Sequence, residues 1–109
     1  MKRFVRSAAR KDILDQFRYL VEEGAPDAAL RFLDAVEETL RALARDPAIG
    51  APKFFPNAKL AGLRSWAVPG FEDIRVYYLE QQDVVRIVRV LHGKRDLKRI
   101  LKREDPSMN

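Results

Sequence analysis

Apolar residues recur at helical spacing in Ala9, Ile13, Phe17, Leu20 and Val21, and so mark one face of an amphipathic helix. Ser7 stands where a hydroxyl could accept a free amide of the first turn, and Gly24 where the left-handed cap conformation costs least. Pro26 suits a first helical turn and Asp27 the positive end of the helix macrodipole, which predicts a second helix. Its apolar stripe is Ala29, Phe32, Leu33, Val36, Leu40 and Leu43, and Asp46-Pro47 closes it. So short a link makes the pair an αα-hairpin. Upstream, residues 2–6 place two apolar side chains among bases and read as an edge strand.

Beyond Gly62 the period changes to two. Residues 63–68, 74–80 and 84–91 read as strands, with turns at Pro69-Gly70 and Gln81-Gln82-Asp83. Connections this short require antiparallel neighbours. Residues 46–62, with Pro47, Gly50, Pro52 and Pro56, form an irregular connection that Phe54-Phe55 is expected to pin to the core. A last helix is predicted from near Gly93. Its Leu97, Ile100 and Leu101 share one arc, and Lys94, Arg95, Lys98, Arg99, Lys102 and Arg103 share the other. Asp105-Pro106 stops it, and the last three residues are expected to fray. The order is that of an α+β fold in a single domain, 1–109. An N-terminal strand precedes an αα-hairpin packed on a three- to four-stranded antiparallel sheet, and a short basic C-terminal helix follows.

The strands carry an anomaly. In the second of the three, Ile74, Val76 and Tyr78 point one way and Arg75, Tyr77 and Leu79 the other. In the third, strict alternation puts Val84, Val88 and Val90 with Arg86, and Val85, Ile87 and Leu91 with Arg89. Both faces are largely apolar, where an antiparallel sheet with one core shows a polar face. Either the last helix or the long loop covers the second face, or a partner does. Arg75, inside an apolar strand, needs an ion-pair partner such as Glu22, Glu23 or Asp96, or else serves a site.

Charge sharpens this picture. The net charge of +5 favours acidic partners, and between Arg86 and Arg103 eight bases face Asp96 alone. Chemistry of its own is harder to find. His92 is the only histidine and cysteine is absent, so neither a histidine-based metal cluster nor a thiolate is available. The five glycines are scattered, which removes a phosphate-binding loop, and neither Ser7 nor Ser65 has a base. No cofactor or metal is implied. No apolar run approaches the roughly 18 residues of a membrane span, and a cytoplasmic location is expected.

Four strings, in order, carry a resemblance: Gly62-Leu63-Arg64, Val68-Pro69-Gly70-Phe71, Ile74-Arg75-Val76-Tyr77-Tyr78, and the run from Val88 through Leu91-His92-Gly93-Lys94-Arg95-Asp96. Together they resemble the RelE/ParE toxin superfamily over nearly the whole chain. RelE-like members are ribosome-dependent mRNA endonucleases that stabilise developing phosphate charge with lysines and arginines. ParE-like members poison DNA gyrase without a hydrolytic site. The resemblance places Arg75 and Arg95 where the nuclease branch keeps two catalytic arginines. The nuclease lysines fall near Trp66 and Val68 and its tyrosine near Leu101, and none is present here. The resemblance therefore implies a ParE-like toxin of a type II toxin–antitoxin pair, directed at gyrase, with a RelE-like nuclease as the alternative. A plain nucleic-acid-binding module is the third reading, resting on charge alone. The family resemblance further implies a ParD-like antitoxin partner in a hetero-oligomer. Trp66, Tyr78, Leu97 and Leu101 are expected to line its apolar groove, and Arg75, Lys94, Arg95, Lys98 and Arg99 to contact antitoxin or target.

Overall fold

A computed structural model describes residues 1–93 and 97–109. Strand β1 (Lys2–Val5) leads into helices α1 (Ser7–Glu22) and α2 (Pro26–Arg45). A short β2 (Ala51–Pro52) lies between two single 3₁₀ turns, and β3 (Arg64–Val68), β4 (Phe71–Gln81), β5 (Val84–His92) and α3 (Leu97–Lys102) complete the order. The α+β class and the succession of strand, hairpin, strands and helix are those expected.

The sheet differs from expectation in two respects. Among the described residues it has five strands, in the order β1-β5-β4-β3-β2, and β1 lies parallel to β5 with Lys2 opposite Val84. The intervening helices and strands supply the long crossover that a parallel pair requires. Strand β2 is two residues long and ends in Pro52, too short to show a period of two.

The N-cap of α1 is Arg6 and not Ser7. The Arg6 amide donates to the Ile87 carbonyl at 3.2 Å, which extends the sheet by one residue and delays the helix. Ser7 Oγ lies instead 3.4 Å from the Asn109 side chain. Gly24 does take a positive φ of 80° beyond α1, and Pro26 opens α2.

A bulge alters the phase of β5. Tyr77 pairs with Arg89 and Tyr78 with Ile87, so Val88 is the extra residue. Val85, Ile87 and Val90 consequently face the helical hairpin, while Val88 and Leu91 face away. This replaces the strict alternation in which Val88 went with Val90 and Ile87 with Leu91.

Two cores result. On the hairpin side Phe32, Val36, Leu40 and Leu43 pack on Val76, Tyr78 and Ile87, and Phe32 meets Phe71 edge-to-face at 5.4 Å. On the other side Leu60, Leu63 and Leu101, supported by Phe55, Leu97 and Ile100, cover Tyr77, Leu79, Val88 and Leu91. The chain's own loop and last helix thus cover most of the second apolar face. Among the described residues no helix is long and apolar enough to cross a membrane.

Candidate functional site: a groove over the second sheet face

Alternation along β4 sends Arg75 and Tyr77 to the face that α3 covers, and the register sets Ser65 beside Tyr77 and Ala67 beside Arg75. Ser65 is fully buried. Its Oγ accepts from Arg75 Nη2 at 3.0 Å and from Nε at 3.2 Å, which fixes the guanidinium plane. Among the described residues no carboxylate forms an ion pair with Arg75. The expected partners Glu22 and Glu23 end α1, on the opposite side of the sheet, and Asp96 lies outside the described residues. Burial pushes the Tyr77 hydroxyl pKa up, and the Arg75 charge opposes that shift.

Above Arg75 lies a groove of about 780 Å³, lined among others by Phe54, Tyr77, Leu97, Lys98 and Arg99. Phe55 enters the second core as expected, but Phe54 does not, and remains 93% exposed. The two neighbours point apart because Phe55 fills the space under the loop. Phe54→Ser is expected to change unfolding free energy by less than about 0.5 kcal/mol, because it removes almost no buried area. Urea unfolding of the variant checks this.

The four residues expected to form an apolar groove do not come together. Leu97 lines the groove, whereas Leu101 is fully buried beneath it in the second core. Tyr78 is fully buried on the hairpin side, because it alternates with Tyr77. Its hydroxyl donates to the Pro47 carbonyl at 2.7 Å and accepts from the Gly50 amide at 2.8 Å. Trp66 pairs with Val76, which also places it on the hairpin side, 36% exposed.

The basic set divides as well. Lys98 and Arg99 are exposed on α3, and Lys94 and Arg95 lie outside the described residues. Arg86 and Arg89, which also belong to the C-terminal run, are committed within the fold. Arg86 stacks 4.7 Å above the Phe4 ring. Arg89 makes paired 2.7 Å bonds to Asp12 and a 3.2 Å bond to Glu104, and the Asp12 bonds lead in holding its pKa above the ordinary arginine value.

Sequence reasoning missed the clamp that seats α3. Asn57 Nδ2 donates to the carbonyls of Leu101, Lys102 and Glu104, groups that a helix end leaves without partners. Arg6, nearly fully buried, bonds the Glu104 carboxylate and the carbonyls of Val88, Asp105 and Met108. The tail expected to fray is therefore tied down through Met108. No period or motif marks Arg6 or Asn57 for these tasks. A pair of bonds from Ser107, then Lys59, lowers the Asp105 pKa from 3.8 to about 2. A depressed folded pKa favours the folded form above the unfolded value, and that contribution is lost as pH falls from 3.8 through about 2. A carboxyl NMR titration of Asp105 is expected to show its midpoint near 2.

Residues 4–97 match the family model described as ParE toxin of type II toxin-antitoxin system, parDE. Among solved structures the chain is similar to one titled "Chromosomal ParDE TA system from P. aeruginosa", with a TM-score of 0.71 and 17% identity. That likeness covers 86% of this chain and 97% of the other, and at such identity it carries the fold alone. No curated protein matches the sequence. The family match spans the chain from β1 to the first residue of α3. On that span the chain belongs to the ParE toxin family of type II toxin–antitoxin systems.

Proposed function

We propose that the chain is the toxin of a type II pair, held inactive by a cognate ParD-like antitoxin in a hetero-oligomer, and that it acts in the cytoplasm by inhibiting DNA gyrase. Family membership over residues 4–97 carries this reading. The site geometry supports binding over phosphodiester cleavage. The resemblance sets the nuclease lysines near Trp66, which lies on the opposite sheet face from Arg75, and Val68, which is fully buried in the hairpin-side core. Arg75 consequently has no catalytic lysine beside it from β3. The exposed bases of α3 suit an acidic macromolecular surface.

Antitoxin-free protein added to a gyrase supercoiling reaction is expected to abolish supercoiling or accumulate cleaved DNA, with parallel in vitro translation unaffected. Addition of the antitoxin restores supercoiling. Cut mRNA and arrested translation beside normal gyrase activity would overturn the reading in favour of a RelE-like nuclease.

A further inference from the structure

We propose that a cationic cleft between β1 and the C-terminal end of α2 binds the phosphate backbone of duplex DNA without reading its sequence. The proposal is independent of the gyrase reading and of the groove over the second sheet face.

Strand β1 is an edge of the sheet, with β5 as its neighbour on one side. The cleft beside it, of about 490 Å³, is lined by Lys2, Arg3, Arg41 and Arg45 together with Met1 and Ala44. Two segments distant in sequence thus bring four cations to one place. Arg41 and Arg45 lie one turn apart on α2, about 6 Å along its axis. Arg3 bonds Glu37 at 2.6 Å, and Arg41 bonds Glu37 at 3.1 Å and Glu38 at 3.8 Å. Those glutamates hold two guanidinium groups in place and leave the balance positive, four cations against two carboxylates. Among the described residues no ion pair engages Lys2 or Arg45, and both are exposed. At the same edge, half-buried Arg86 adds a further cation, 4.7 Å above the ring of Phe4.

Charge complementarity selects an anion, and the lining selects which one. Duplex DNA carries one negative charge per about 1.7 Å of its axis, and contacts to its phosphates ask for cations and little else. A protein partner draws its affinity from large apolar anchors in desolvated pockets, and the cleft lining holds no aromatic side chain. Single strands bind by stacking bases on aromatic rings, whereas the ring at this edge, Phe4, already has Arg86 over it. A lysine in an edge strand also discourages pairing with a strand of another chain. That task requires neither Arg41 nor Arg45, which belong to the helix.

The test is fluorescence anisotropy of a labelled DNA duplex of about 20 base pairs, titrated with the purified chain at several salt concentrations. Wild-type affinity is expected to fall as salt rises, and duplexes of unrelated sequence should bind within about twofold of each other. Lys2→Gln combined with Arg45→Gln removes two exposed charges that hold nothing in the fold. It should weaken binding about tenfold or more at about 50 mM salt and lower the log–log salt slope by about 1.8, or about 0.9 per phosphate. Lys102→Gln combined with Arg103→Gln takes the same charge from α3, and should change affinity by less than about threefold with the slope nearly unaltered. Equal losses in the two variants would trace binding to net charge and overturn the proposal. So would an unchanged slope in the first variant, no duplex binding at about 50 mM salt, or tighter binding of oligothymidine or of an RNA duplex. A poly-glutamate peptide bound more tightly than the duplex would overturn it in favour of an acidic protein.

Discussion

Glu104→Ala is expected to destabilise the chain by about 3–5 kcal/mol, read as a lower urea midpoint at unchanged slope. Glu104 bridges two arginines: Oε1 accepts from Arg6 at 2.5 Å and Oε2 from Arg89 at 3.2 Å. The side chains of Arg6 and Glu104 are only 4% and 12% exposed, so neither charge is well hydrated. Removing the carboxylate leaves Arg89 with Asp12, but Arg6 with carbonyls alone. The magnitude follows from that stranded charge and exceeds the worth of an ordinary ion pair. Lys11–Asp15, exposed and four residues apart on α1, provides the contrast, and Asp15→Ala is expected to cost about 0.3–0.5 kcal/mol. Glu104→Gln, which retains acceptor oxygen without charge, should lie between the two. A cost below about 1 kcal/mol for Glu104→Ala would mean that the carbonyls suffice for Arg6. The functional consequence is local. Glu104 lies two residues beyond the end of α3, so its loss loosens the helix that lines the Arg75 groove.

The hairpin and the three central strands were legible because each repeats a single period. Phe32, Val36, Leu40 and Leu43 lie on one helical face, and Ile74, Val76 and Tyr78 on one strand face, and the fold keeps both sets in one core. The pattern misleads where geometry breaks the period. Val88 bulges, and the residues after it change sides without any change in composition. Strand β1 was legible as a strand but not as a parallel neighbour of β5, because pairing across 82 residues leaves no local signal. At the candidate site, Arg75 stood out because a cation interrupts an apolar run. The partner that orients it, Ser65, resembled any small strand residue until the register of β3 on β4 was known. Phe54 and Phe55 were indistinguishable as letters, and only the shape of the loop decides that one is core and the other is surface. The clamp formed by Arg6, Asn57 and Glu104 joins three distant segments and was invisible for the same reason.

Gly50→Ala is expected to cost about 3 kcal/mol, from overpacking together with the loss of a buried hydrogen bond. The backbone at Gly50 is extended, with φ −71° and ψ 147°, so any residue could adopt it. Space is what requires glycine. An added Cβ would stand 2.3 Å from Tyr78 Oη, 2.7 Å from Tyr78 Cε1 and 2.9 Å from the Ser65 carbonyl oxygen. Tyr78 cannot swing aside readily, since its ring is fully buried and its hydroxyl is held from both sides by Pro47 and Gly50. Burial also raises the hydroxyl's pKa, which keeps the proton that the Pro47 carbonyl accepts. Tyr78→Phe alone should cost about 1–3 kcal/mol by stranding those two backbone groups. In the double variant the nearest clash and the shared bond are both already gone, so the costs should sum to less than additivity predicts by about 1 kcal/mol or more. Strict additivity would mean that the clash is relieved by movement of the loop and not by Tyr78. Because the Ser65 carbonyl belongs to the residue that orients Arg75, Gly50→Ala is also expected to weaken any ligand of the groove. Tyr78→Phe, which leaves Ser65 in place, should leave that binding within about twofold, as expected of a core residue remote from the interface.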